Sequence, residues 1–168
     1  MTTAFLGITT GEALWDKVKE AGAEYGIGPG APNDTERLES GLLSYGADMR
    51  LQTHRANPYE MGFGGLVDLE GHDFIGIAAL AQTAAVGAKR QFIGVTIKGT
   101  PTPPGHQVPL MSGSETVGYI SEFTFSKRVG ITIGISLINS DHVGADVPLS
   151  IFADGKDHAA QITSVPFI

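Results

Sequence analysis

The sequence predicts an α+β fold: N-terminal helices on a small sheet, then a six-stranded antiparallel β-barrel. Three observations carry this expectation. The first 88 residues hold three stretches with helical spacing of apolar side chains, but only one that reads as a strand. After Lys89 the chain breaks into six short segments rich in Val, Ile, Phe and Thr. Gly, Pro, Asn and Asp separate those segments, a rhythm that favours a small barrel or sandwich over a parallel sheet.

Taken in order, "TAFLGIT" at residues 3 to 9 is the N-terminal strand. Residues 11 to 22 place Leu14, Val18 and Ala21 on one helical face, with Gly22 suited to end the helix. "YGIGPGAP", residues 25 to 32, reads as a loop. A second helix is expected to start at Asn33, whose side chain can cap it while Glu36 closes a capping box. It is expected to run to about Tyr45, with Gly46 as its stop. A third, alanine-rich helix spans residues 76 to 86 and ends at Gly87. The strand segments are "QFIGVTIKG", "HQVPLM", "ETVGYISEFTF", "GITIGISLI", "DVPLSIFADG" and "HAAQITSVPFI". "ADGKDH", residues 153 to 158, carries the Asp-Gly signal of a tight hairpin. Three helices with one strand to cover them make the N-terminal part look incomplete, because an amphipathic helix needs a sheet or other helices against its apolar face.

Charge and composition remove whole classes of function. Eleven Lys and Arg against 18 Asp and Glu give a net charge of -7, which offers no footprint for nucleic acid and no attraction to an anionic membrane. No segment is long and apolar enough to span a bilayer, and the first residues lack a basic stretch leading into an apolar one, so the expected location is cytoplasmic. Without cysteine there are no disulfides and no thiolate metal sites. His54, His72, His106, His142 and His158 are scattered without metal-ligand spacing, so no metal is expected. "GIGPGAP" lacks the lysine of a phosphate-binding loop.

One residue breaks its local pattern. At about 100° per residue, Glu39 falls inside the apolar arc formed by Leu38, Leu42, Leu43 and Tyr45, while Arg37, Ser40 and Ser44 lie on the other side. A carboxylate in a packed face is costly unless paired or hydrogen-bonded, so Glu39 is expected either to have a partner or to reach solvent at the rim.

"RLESGLLSYGADM", then "NPYEMGFGGLVDLEGHDFIGIAAL", then "KRQFIGVTI" and the closing "SVPFI" resemble the C-terminal half of the aminomethyltransferase family, the T-protein of the glycine cleavage system and its relatives. "SGLLSYGADM", "NPYEMG" and "GLVDLE" are similar to the branch of tetrahydrofolate-dependent O-demethylases acting on vanillate-type and 3-O-methylgallate-type acids. The resemblance implies a partial folate-binding α+β region over residues 1–88 and a C-terminal β-barrel domain over 89–168. It implies tetrahydrofolate as cofactor and a small-molecule methyl donor. Glu39, the glutamate of the R-x-E-x-G block, would face the pterin, Arg90 beside Lys89 would steer the anionic folate tail, and Tyr45 would stack on the ring or pack in the core. Glu60 and Asp48 are expected to tie down their own turns.

The resemblance also has gaps. Family enzymes carry a long portion before the helix at residues 11 to 22, and the family's catalytic aspartate falls there, so no residue here is assigned a catalytic role. "GYISEFTFSKRVG", residues 118 to 130, departs from the family's Thr-Ser-Gly block. The expected partner is accordingly a missing N-terminal half as a separate chain, or another copy in a homo-oligomer. The function expected is a share in one-carbon transfer or O-demethylation through positioning of the folate; the alternative is a non-catalytic folate-binding or oligomerisation module. A barrel carrying some other small apolar ligand is a third reading.

Overall fold

The structure, a computed structural model, describes residues 10–28, 30, 33–49, 55–144 and 147–168. The chain forms two compact units, residues 1–32 and 33–168. The expected strand at residues 3 to 9 lies outside the described residues, as do positions 29, 31 and 32 of the expected loop.

In the first unit, α1 (Gly11–Gly22) starts where the sequence places it. The Thr10 hydroxyl caps it by accepting from the Ala13 N–H at 3.3 Å. Glu12 in its first turn and Lys19 in its last complement the helix dipole. Its apolar face, with Leu14, Trp15 and Val18, remains exposed.

The second unit opens with α2 (Asp34–Glu39), and its start is the expected capping box: the Glu36 N–H donates to Asn33 Oδ1 at 2.9 Å and the Asn33 N–H to Glu36 Oε2 at 3.2 Å. Its end corrects the sequence reading. The helix stops at Glu39, not at Tyr45. Gly41 takes a left-handed φ of 66°, the Gly41 N–H donates to the Leu38 carbonyl and the Leu42 N–H to the Arg37 carbonyl, which is a Schellman stop. Leu42 and Tyr45, read as one helical face with Leu38, are instead exposed beyond that stop. The third helix, α3 (Ile77–Val86), falls within one residue of expectation, and none of its residues is buried.

The six strands are β1 (Arg90–Ile97), β2 (Val108–Ser112), β3 (Glu115–Ser126), β4 (Ile131–Asn139), β5 (Leu149–Ala153) and β6 (Lys156–Thr163). All pairings are antiparallel, and they close a barrel in the order β1-β4-β3-β2-β5-β6. β1 pairs with β4 over the full length of β1, from Arg90↔Asn139 to Ile97↔Thr132, whereas β2 and β5 meet through a single register pair, Met111↔Ser150. The expected hairpin turn joins β5 to β6, with Asp154 and Gly155 at φ 51° and 75°.

The barrel interior is filled by Val95, Ile97, Val108, Leu110, Val117, Ile120, Phe123, Ile138, Leu149, Ile151, Ala153 and Ala160, at alternate positions on β1, β2 and β5 and three apart on β3, where the register shifts twice. Burial of each large aliphatic side chain contributes about 1.5–3 kcal/mol. A second cluster lies on the outer face of β4, where Ile133 and Ile135 pack with Leu38 of α2 and the partly buried Phe92 and Phe167. β4 is therefore buried on both faces from Thr132 to Ile138. The C-terminal tail reaches this cluster because Gly94 leaves room: a Cβ there would lie 3.0 Å from side-chain atoms of both Val165 and Phe167.

Candidate functional site

Glu39, the last residue of α2, is 4% exposed, so the reading that places it inside is correct and the partner it requires is present. The Ser126 hydroxyl, at the end of β3, donates to Glu39 Oε1 at 2.6 Å, and Ser126 Oγ is itself held by the Val129 N–H at 2.9 Å. The Arg128 guanidinium lies 3.7 Å from Oε2 and is 67% exposed, so this ion pair is solvated on one side. The Phe167 N–H donates to the Glu39 carbonyl at 2.8 Å. Beside the carboxylate lies an open cleft of about 480 Å³ bordered by Asn33, Thr35, Glu36, Phe125, Lys127 and Arg128.

Sequence reasoning missed the most heavily bonded polar cluster of this unit. Arg37, placed away from the apolar arc of its helix, is largely covered there by polar partners: its side chain is 14% exposed and donates through Nη1 to Asp48 Oδ2 and to the Leu42 carbonyl, each at 2.7 Å. Nη2 pairs with Glu122. The Asp48 side chain is fully buried and also accepts from the Ser44 N–H at 2.7 Å and from the Ser121 hydroxyl. Ser44 thus fixes the turn expected of Asp48. Ser121 and Glu122 reach this cluster because the β3–β4 register shifts between Ile120 and Glu122, a bulge that re-aims both side chains. The only sequence signal was the departure at "GYISEFTF".

Arg90 begins β1 and is committed to another carboxylate. Its Nε donates to Glu60 Oε1 at 2.8 Å and its Nη2 to Glu60 Oε2 at 3.1 Å, a two-pronged pair, while Nη2 also donates to the Arg55 carbonyl at 2.6 Å. Glu60 does tie down its turn: the Asn57 N–H donates to Glu60 Oε2 at 2.9 Å and the Glu60 N–H to Asn57 Oδ1 at 3.0 Å. Arg90 also borders a cavity of about 360 Å³ with Asp48, Gln107, Tyr119, Ser121 and Asn139, among others. Gln107 Oε1 is buried without a hydrogen-bond partner.

The three candidate cofactor residues do not converge. Ser126, which holds Glu39, pairs with Ile131 at the start of β4, whereas Arg90 pairs with Asn139 at its end. Eight residues of strand separate those positions by roughly 26 Å. Tyr45 is 68% exposed, which overturns the reading that packs it in the core. His158 is buried, with Nδ1 3.1 Å from the Lys98 carbonyl. The Asp68 carboxyl is held below the usual carboxylate range by the Gly71 and Glu70 N–H groups that donate to it. Among the described residues no group of three or more His, Asp or Glu is placed to hold a metal ion.

Comparison with known proteins agrees with this architecture. Residues 90–168 match the family described as "Glycine cleavage T-protein C-terminal barrel domain". The chain is 37% identical over 136 residues to a dimethylsulfoniopropionate demethylase of Ruegeria pomeroyi, covering 81% of this chain and 36% of that one. It is 33% identical over 159 residues to an aminomethyltransferase of a Synechococcus strain, covering 94% of this chain and 42% of the relative. The chain thus spans about two fifths of the length of these curated relatives. In fold it is similar to the crystal structure of glycine cleavage system aminomethyltransferase T from Bartonella henselae, with a TM-score of 0.69 over 80% of this chain at 21% identity. The match begins at Arg90, the first residue of β1, so the part of the chain that forms the closed six-stranded barrel, residues 90–168, is the part that matches the C-terminal barrel domain of the glycine cleavage T-protein family.

Proposed function

We propose that the chain supplies the C-terminal part of a tetrahydrofolate-dependent one-carbon transferase and helps to position the folate. The observation that carries this reading is the joint likeness to a demethylase and to aminomethyltransferases, whose names share the movement of a one-carbon unit. The cleft beside Glu39 supports it chemically. A pterin ring presents an edge of N–H donors, which a fixed carboxylate accepts, and among the described residues Glu39 Oε2 has the 3.7 Å contact with Arg128 as its polar partner. Phe125 offers a face for stacking, and Lys127 and Arg128 offer positive charge for an anionic tail on the same rim. These two cations stand closer to Glu39 than Arg90 does, so they take over the steering role in this reading. The finer form is O-demethylation of a vanillate-type methoxyaromatic acid; the demethylase relative favours demethylation over aminomethyl transfer.

A second reading rests on the bonds Glu39 already makes. Ser126 and Arg128 occupy its carboxylate, and Phe167 its carbonyl, so Glu39 can serve as the clasp that joins α2 to β3 and the tail. Calorimetric titration with tetrahydrofolate separates the two. The cofactor reading expects saturable binding that weakens about tenfold or more in Glu39→Gln, the scale of a lost charge-assisted hydrogen bond. Unchanged binding in that variant, together with a lowered unfolding midpoint, leaves Glu39 as the clasp alone.

A further inference from the structure

We infer that Ser126, at the end of β3, is the positioning residue of the candidate cofactor site: through its hydroxyl the barrel fixes the plane in which Glu39 offers its carboxylate to a pterin edge. The inference rests on the folate reading of Glu39 and adds to it a residue of the barrel.

The backbone around Glu39 is pinned on both sides. The Ser40 N–H donates to the Glu36 carbonyl at 3.0 Å, and the Phe167 N–H donates to the Glu39 carbonyl at 2.8 Å. That leaves the end of the side chain, where the last torsion joins a tetrahedral carbon to a planar carboxylate and has no sharp preferred angle of its own. A hydrogen bond has to set it.

Ser126 is built to do so. It is wholly buried, the Val129 N–H donates to its Oγ at 2.9 Å, and the Gly130 N–H donates to its carbonyl at 2.8 Å. A hydroxyl has one proton to give. With Val129 donating to its oxygen, that proton is directed at Glu39 Oε1, 2.6 Å away and 87 positions earlier in the chain. Oε1 is thereby anchored, and Oε2 lies toward Arg128 on the rim of the cleft. A receiving group already held in place has no rotation left to freeze when a flat ligand arrives, which strengthens binding.

The test is a double-mutant cycle on this chain, read by calorimetric titration with tetrahydrofolate. Ser126→Ala is expected to weaken binding about fivefold or more, the scale of a hydrogen bond to a charged group, and Ser126→Thr, which keeps the hydroxyl, to stay within about twofold. In a Glu39→Ala background no carboxylate is left to orient, so there Ser126→Ala should alter affinity by less than about twofold. In the ligand-free chain, NMR of isotope-labelled glutamate carboxyls reads the anchor directly. The Glu39 signal, assigned by its absence from Glu39→Ala, is expected to move in Ser126→Ala and to hold its place in Ser126→Thr. Should the turn need Oγ to fold, Ser126→Cys, a weak donor of similar size, replaces the alanine variant with the same expectations.

Equal factors of loss in both backgrounds make Ser126 a residue of the turn alone and overturn the inference. So does parent affinity in Ser126→Ala, or a Glu39 signal indifferent to it. Those results leave the cofactor reading standing as long as Glu39→Ala weakens binding. A parent chain without saturable binding, or one indifferent to Glu39→Ala, removes the cofactor reading and the inference together.

Discussion

The guanidinium of Arg37 lies between two carboxylates, one of them fully buried, and it also donates to the Leu42 carbonyl. Arg37→Ala strands the Asp48 charge without its counter-ion, and the expected loss of stability is about 3–5 kcal/mol, read as a lower urea midpoint at unchanged slope. Adding Asp48→Asn to that variant should recover part of the loss, since it removes the buried charge. None of this was legible in the sequence, because Arg37 meets Glu122 across 85 positions and Asp48 meets Ser121 across 73. Glu39 was only half legible: a carboxylate beside Leu38 raised the question of a partner but left a place at the solvent rim open, and the arc that framed it ran through Leu42 and Tyr45, which lie beyond the helix. Glu60 was legible, because its partner Asn57 lies three residues away.

At the scale of elements, the stop of α2 is the instructive case. Apolar residues continue past Gly41 at a spacing that mimics a helix, so the pattern extends the helix through a position that in fact ends it. Gly41→Ala is expected to destabilise the unit by about 2 kcal/mol. It would force a Cβ into a left-handed φ of 66° and to within 2.6 Å of Val165 Cβ. Denaturant unfolding of the variant checks the magnitude, and a neutral result would show that the tail yields. Where caps and periodicity agree, as at Asn33, Gly76 and Gly87, helix boundaries were readable to within a residue. The folate role of Arg90 was drawn from resemblance alone, and its pairing with Glu60 depends on a turn that ordering by spacing does not reveal.

Over the whole molecule, the barrel was the most legible feature, because six alternating segments between turn residues leave few other ways to bury their apolar sides. What alternation hides is the second buried face of β4, which α2 and the tail create. The interior should behave as one packed unit. Leu110→Ala, at a fully buried site, is expected to cost about 2–5 kcal/mol and to lower the midpoint reported by near-UV and far-UV signals together.

Among the described residues, every seam of this barrel is stitched by at least the four register pairs that join β1 to β6, except that between β2 and β5, where one pair, Met111 with Ser150, holds the wall. A cylinder fastened so unequally unzips from its weakest stitch. Deuterium should enter the amides of β2 and β5 long before those of β1 and β4, whose eight-pair ladder forms the spine around which the opened sheet would swing.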